Sequence, residues 1–465
     1  RMKKKFSNYF INKWLVFNEP PYNQQFMNHP LRVVLFCTLM TILQAGWSQS
    51  AEMSMDQLID YALSNSPEML DAQLKIQDAE AQILQSKSTG LPQLSGTGTY
   101  QRYFEVPIVP LPPEFTGGGE PQEVSFVLRN NLTGGVNLDA MIFDAAYFVA
   151  LRAARAARTY AQLELVDRQR QVRQQVRDVY LPVLLLQSNL SQLEKNLSNL
   201  EELFRETQQI YEAGFAEQLD VDRLALSLAN LRTERDALDR QYQNAMRALK
   251  FTINYPAGQE LTIADDMEAM LADDNPEMLN TTISYNRRPE INLLDKAIEL
   301  NDYNIQNFKT GYLPSLRGFA GYQYQYQGND FQSGFWAPTG FVGLTLNVPI
   351  YDGGFKRSQI DRATISRQQV QLQRSTVQRM IDLEVENAQG SLLSAQERLK
   401  DRENNLALAQ RIYDTTQVKY REGVGSSLEV NQAEQALYTA QTNRLQAIYD
   451  VLQAKITLEE ALGLN

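Results

Sequence analysis

The chain is written twice. LPQLSG at 91–96 recurs as LPSLRG at 313–318, and Pro67-Glu68 precedes the first by the same distance as Pro289-Glu290 precedes the second. IFDAA at 142–146 recurs as IYDGG at 350–354, and YEAGFAEQLDV at 211–221 as YREGVGSSLEV at 420–430. A duplicated plan restricts the fold, because both copies must satisfy one local geometry. The offset is 222 for the first pair of motifs and 208 to 209 for the later ones. The first half therefore holds an insertion. EVPIVPLPPEFTGGGEPQE at 105–123 supplies it, with five prolines and three consecutive glycines that read as a loop. The expected organisation is an N-terminal extension and signal over 1–48, a first repeat over 49–250, a linker over 251–288 and a second repeat over 289–465.

After its FD-type motif each half carries about 70 residues of helical pattern. Leu190, Leu193, Leu197, Leu200, Phe204, Thr207 and Tyr211 follow a 3-4 spacing. Val385, Leu392, Leu399, Leu406, Tyr413 and Tyr420 recur every seven residues. Each run is followed by a second helix, one with Leu224, Leu228, Leu231, Leu238 and Leu249 on a stripe. The spacing predicts helices over about 145–212, 219–250, 353–421 and 428–462. A seven-residue period makes a narrow apolar seam that favours coiled-coil packing. An ordinary helical bundle shares that period, but a run this long makes a rod of roughly 100 Å. Pro182 in the first rod, and Gly390-Ser391 at the matching height of the second, predict a bend or break. Gly214 and Gly423 suit helix C-termini, and Asp144 and Asp352 suit caps where strand becomes helix.

Short stretches change period from seven to two. Strands are expected over about 94–104, 124–142, 315–327 and 341–350. Tyr322, Tyr324 and Tyr326 alternate with Gln323, Gln325 and Gln327. Val342, Leu344 and Leu346 alternate with Gly343, Thr345 and Asn347. Two residues break the pattern: Arg102 falls on an apolar side and Phe319 on a polar one. Strands of about ten residues with one apolar face suit a bilayer-spanning barrel, and tyrosines suit its interfacial girdle. That reading points the tyrosines towards lipid and the glutamines towards a lumen. A half-buried sheet in a soluble domain alternates in the same way. Four strands cannot close a membrane barrel, for which about eight is the smallest number. Open edges in lipid would cost several kcal/mol per unpaired group. Three chains would supply twelve strands.

The first 48 residues carry six Lys/Arg and one acid, so the net charge of −11 belongs to the body of the chain. That acidity argues against a nucleic-acid partner. VVLFCTLMTIL at 33–43, preceded by Arg32 and followed by AGWSQ, reads as an export signal. The only cysteine, Cys37, and the only histidine, His29, fall in that region. The exported chain would thus lack the commonest general base and the common transition-metal ligands. No cofactor is expected. DDMEAMLADDNPE at 265–277 is an acidic run without calcium-loop spacing, read as a solvated segment. RAARAARTY at 152–160 reads as a solvated basic helix face.

In order, duplication and spacing these motifs resemble the TolC family of outer-membrane efflux channels, over roughly residues 54–464. The resemblance implies a mainly α fold with a small β part. A long helical coiled-coil barrel would continue four transmembrane strands per chain, closing as a 12-stranded barrel in a homotrimer with an equatorial belt. It implies a passive exit duct for tripartite efflux or type I secretion, in the outer membrane with a long periplasmic extension. The implied partners are a periplasmic adaptor, an inner-membrane transporter and outer-membrane lipid, and no catalysis is implied. Gate candidates carried over by motif are Tyr211, Asp220, Asp222, Tyr420, Glu429 and Gln432. Adaptor contacts would fall on the tip turns, at Gly214, Phe215, Gly423, Val424 and Gly425. Two positions depart from the family pattern. Its second acidic position is Gln432, and a latching arginine would fall on Gly425. Three copies of Glu429 would make a cation-favouring ring; a first-turn acid favoured by the helix dipole is the equal alternative. The rival functions are a periplasmic coiled-coil adaptor or structural envelope protein, which leaves the strands unused, and a carboxylate-dependent hydrolase.

Overall fold

Four helices of unusual length and one four-stranded sheet account for most of the chain in a computed structural model, which describes residues 51–111, 122–272, 279 and 281–464. The region expected to be an export signal, part of the 105–123 loop and the end of the acidic run lie outside the described residues. The first half runs β1 (Ala51–Met53), α1 (Met55–Asn65), α2 (Pro67–Ser88), β2 (Gln93–Arg102), β5 (Asn130–Phe143), α3 (Ala145–Glu212) and α4 (Gln218–Thr252). The second half repeats the order as α6 (Pro289–Thr310), β7 (Ser315–Gly328), β8 (Phe335–Asn347), α7 (Phe355–Arg421) and α8 (Ser427–Leu462). Between them lie β6 (Leu261–Ile263) and α5 (Met267–Ala272). At 1.5 Å per residue, α3 and α7 are each about 100 Å long.

The sheet is antiparallel in the order β2-β5-β7-β8, so the two hairpins join through β5 and β7. Its register sorts the alternation into two faces. Leu132, Val136 and Leu138 lie opposite Tyr326, Tyr322 and Ala320, which lie opposite Trp336, Gly340 and Val342. The other face carries Asn131, Thr133, Asn137 and Asp139 against Gln327, Gln325, Gly321 and Phe319. Arg102 is on the tyrosine-bearing face, opposite Asn130 and two residues beyond Tyr100.

Two strands differ in extent from the sequence expectation. The strand expected from 124 begins at Asn130; Val124 instead ends β4 (Gln122–Val124), which pairs with β3 (Val109–Leu111) in a separate ribbon. The last strand begins at Phe335 and stops at Asn347. Asn347 pairs with Ser315, the first residue of β7, so Val348 and Ile350 have no strand beside them.

The break expected at Pro182 is absent, and α3 continues through it, as α7 does through Gly390 and Ser391. Pro182 removes one backbone donor. Its neighbours Tyr180, Leu181, Val183 and Leu184 are all essentially inaccessible, and their burial holds the helix where one hydrogen bond is lost. They belong to a core at mid-height of the long helices. Leu58 of α1, Leu249 of α4, Val385 and Leu392 of α7, and Ile448 and Leu458 of α8 complete it. The linker packs here too. Asp265 accepts from Met55 N at 2.8 Å and from the Tyr180 hydroxyl at 2.7 Å. Asp266 accepts from Glu268 N and Ala269 N at the start of α5. These acids are engaged in the fold's own hydrogen bonds.

Candidate functional site

The far end of the long helices gathers the residues singled out for gating. Each hairpin turns on a glycine: Gly214 and Gly423 both sit at φ +79°, the left-handed region a β-carbon disfavours. Phe215 and Val424, next in each turn, are 86% and 78% exposed. A groove of about 410 Å³ beside the first turn is lined by Glu206, Gln209, Ile210, Ala213, Phe215 and Arg421. Gly425 is packed against the chain: a β-carbon there would lie 3.1 Å from Tyr420 N. A side chain at this position would require its neighbours to give by a few tenths of an ångström.

Behind the turns, an apolar cluster holds the hairpins together, with Leu200 and Leu203 of α3, Leu224 and Leu228 of α4, Tyr413 of α7, and Val430 and Leu437 of α8. Polar bonds cross from one hairpin to the other around it. The Tyr420 hydroxyl donates to Thr207 Oγ1 at 3.3 Å. Burial is the main cause of a raised Tyr420 pKa, opposed by the Thr207 bond and reinforced by the charge of Asp220. Ser427, buried at 1% exposure, donates to Asp220 and accepts from Arg223 at 3.3 Å. Further along the same seam Asn431 donates to Ser227, and the Tyr438 hydroxyl donates to Glu234 at 2.9 Å. Arg421 pairs with Glu206 at 3.1 Å.

The structure therefore brings together only some of the expected gate residues. Asp220 and Tyr420 face the opposite hairpin. Asp220 also accepts from Glu217 N at 3.4 Å, which is a first-turn capping contact. Glu429, Gln432, Asp222 and Tyr211 are exposed on a single chain. Asp222 accepts from Gln218. Of their partners, the sequence marks Thr207 only as a member of the helical seam and does not single out Arg223, Ser427, Ser227 or Asn431. Thr207 carried a usable signal: it is a hydroxyl in a leucine seam, and it is fully buried.

At the opposite end the sheet passes into helix. Asp144 is the N-cap of α3 and accepts from Ala146 N at 2.9 Å. Asp352 lies two residues before the cap of α7, which is Gly354 at φ +87°. Its carboxylate reaches Gly354 N at 3.1 Å, Lys356 N at 3.2 Å and Lys356 Nζ at 3.0 Å. The Lys356 bond is the largest of the influences that hold the Asp352 carboxyl below its usual range.

Sequence profiles of known families match this architecture. The profile described as Outer membrane efflux protein matches residues 58–254 and 284–464. The chain belongs to the outer membrane efflux protein family. It is an outer-membrane efflux channel, and its long helices are the periplasmic part. Over 444 residues it is 22% identical to the outer membrane protein TolC of Vibrio cholerae, covering 94% of this chain and 96% of that one. It is 24% identical over 435 residues to the pyoverdine export outer membrane protein OpmQ of Pseudomonas aeruginosa, covering 90% and 87%. Its fold is similar to the crystal structure of the outer membrane protein VceC from Vibrio cholerae, with a TM-score of 0.66 at 18% identity, covering 88% and 96%. The family matches leave a gap over the linker between the two halves.

Proposed function

We propose that three copies of this chain close a 12-stranded barrel, continued by a helical tunnel, and that the assembly is the passive exit duct of a tripartite efflux or type I secretion system. The observation that carries this reading is the two-faced sheet. Its apolar face is exposed in a single chain, with Leu94, Val342 and Leu344 at 73%, 85% and 69%. Its outer strands β2 and β8 have free edges. The apolar face suits lipid, but the free edges are not tolerable there unless the sheet closes on neighbouring copies. The tyrosines then face lipid and the glutamines face the lumen. The halves act as two structural repeats, with residues 251–288 as part of an equatorial belt. No catalytic step, metal or cofactor belongs to this function. A coiled-coil adaptor would have no use for the sheet.

The hairpin tips are the gate and the docking end. Exposed Phe215 and Val424 offer apolar contacts to a periplasmic adaptor, which links the duct to an inner-membrane transporter. Tyr420, Asp220 and their partners hold the hairpins in the closed arrangement. Glu429, Gln432, Asp222 and Tyr211 lie towards the opening. The test is purification of the exported chain from membranes in detergent, measurement of its mass, and single-channel recording in a planar bilayer. A trimer with ion conductance is expected. A water-soluble monomer without conductance would sink the duct reading.

A further inference from the structure

The polar face of the sheet is mostly Gln, Asn, Thr, Ser and Gly, with Phe335 alone at the end far from the helices, yet two phenyl rings meet on it at the helix end. Phe319 of β7 and Phe341 of β8 have ring centroids 6.0 Å apart, tilted by 57°. Each ring lies over a glycine of the neighbouring strand. A β-carbon on Gly343 would come within 2.4 Å of the Phe319 ring, and one on Gly321 within 2.4 Å of the Phe341 ring. The glycines leave room for both rings to lie along the sheet. Asp139 is the direct cross-strand neighbour of Phe319 on the same face. Its carboxylate makes no hydrogen bond or ion pair with the described residues. Arg317 is on this face as well, one row nearer the helices, opposite Thr345. The row of Asp139 and Phe319 begins at Gln93, the first residue of β2, so the pair stands where the helical part meets the sheet.

We infer that Phe319, Phe341 and Asp139 form a transit site for organic cations bearing an aromatic ring. The inference rests on the duct reading, which makes this face the wall of a water-filled lumen. Aromatic faces attract cations through their quadrupole, and the rings also offer apolar contact to a flat solute. Asp139 adds an unpaired negative charge beside them. A neutral polar wall offers a passing solute no such preference. Three copies would place six rings and three carboxylates around one level of the lumen, at the step from tunnel to barrel.

The test is block of single-channel current by three probes of different chemistry. Benzyltrimethylammonium carries a ring and a positive charge, tetramethylammonium the charge alone, and benzenesulfonate a ring with a negative charge. Only benzyltrimethylammonium is expected to block strongly. Its block should weaken about tenfold in the double variant Phe319→Leu/Phe341→Leu, which keeps apolar bulk but loses the rings. Asp139→Asn should weaken it by about threefold. The heat stability of the oligomer separates a site from a purely structural ring pair, and it should stay unchanged in Asp139→Asn. Unaltered block in both variants overturns the inference, as does equal block by benzenesulfonate or tetramethylammonium. Conductance with no selective block removes this site and leaves the duct intact. Absence of conductance removes both.

Discussion

The same long helices pass through the equatorial core and the tip, yet different forces hold them at the two levels. At the equator α1, the middles of α3 and α7, and the distal parts of α4 and α8 share one extensive apolar cluster. It is reinforced by ion pairs whose arginines are largely out of water. Arg288, 5% exposed, donates to the Glu384 carboxylate and the Ala461 carbonyl oxygen at 2.9 Å, and pairs with Glu290 at 3.3 Å. Arg170 bridges Glu290 at 2.9 Å and Glu460 at 2.5 Å. At the tip the apolar cluster is small, and the hairpins are tied by single hydroxyl and amide bonds and by the exposed Arg421–Glu206 ion pair. Apolar burial is cumulative and has no single breaking point, whereas a typical hydrogen bond contributes a net of only about 1 kcal/mol. An opening motion therefore costs least at the tip.

The comparison can be broken most forcefully at the equator. Leu184→Ala, at a fully packed site, is expected to cost about 3–5 kcal/mol and to lower the thermal stability of the whole molecule, measured by circular dichroism in detergent. Arg288→Met should cost about 2–3 kcal/mol in the same assay, because Glu290, Glu384 and the Ala461 carbonyl lose a common donor. If either change alters only tip proteolysis, the equator is not the anchor.

Acidity tests the tip. Burial pushes the Glu434 carboxyl up to about 7, within reach of Tyr413 across the hairpin. A carboxyl whose pKa is raised on folding binds its proton more tightly in the folded state. Its contribution is therefore fully present below the ordinary carboxylate range and is lost as pH rises to about 7. The tip should resist protease better at pH 5 than at pH 8, by about 1–3 kcal/mol of local stability, and Glu434→Gln should flatten the difference. The smallest effect is expected from Ser427→Ala, which frees Asp220 and Arg223 from their shared hydroxyl. About 1 kcal/mol of local stability is expected to be lost, seen as faster tip exchange of amide hydrogens with the melting temperature unchanged.

What the sequence makes legible follows the physics of its patterns. The seven-residue and two-residue periods mark the long helices and most of the sheet, because each period corresponds to one buried face. Boundaries are legible only where the chain chemistry changes. Val124 to Asn130 keeps alternating through an irregular segment, so periodicity alone overran the strand. The start of β8 is hidden by Pro338, a residue that argues against a strand interior but is tolerated on an outer strand, which β8 is within the single chain. Pro182 misleads in the opposite sense, since its local cost is visible in sequence and the packing that overrides it is not. At the tip Tyr420 and Asp220 are legible through their motifs. Ser427, Arg223 and Asn431 are not, because a cross-hairpin bond depends on the register of two helices some 200 residues apart in the chain.

The open edges of β2 and β8 have a genetic consequence. If the sheet closes only by joining neighbours, no chain can repair its own rim, and a partial ring is no smaller working version of the whole. A copy with a damaged β8 would still offer a sound β2, enter the ring, and disable the two normal copies beside it. Strand-edge lesions in this protein should therefore be dominant when expressed with the wild type. Lesions that unfold the chain before assembly should be recessive.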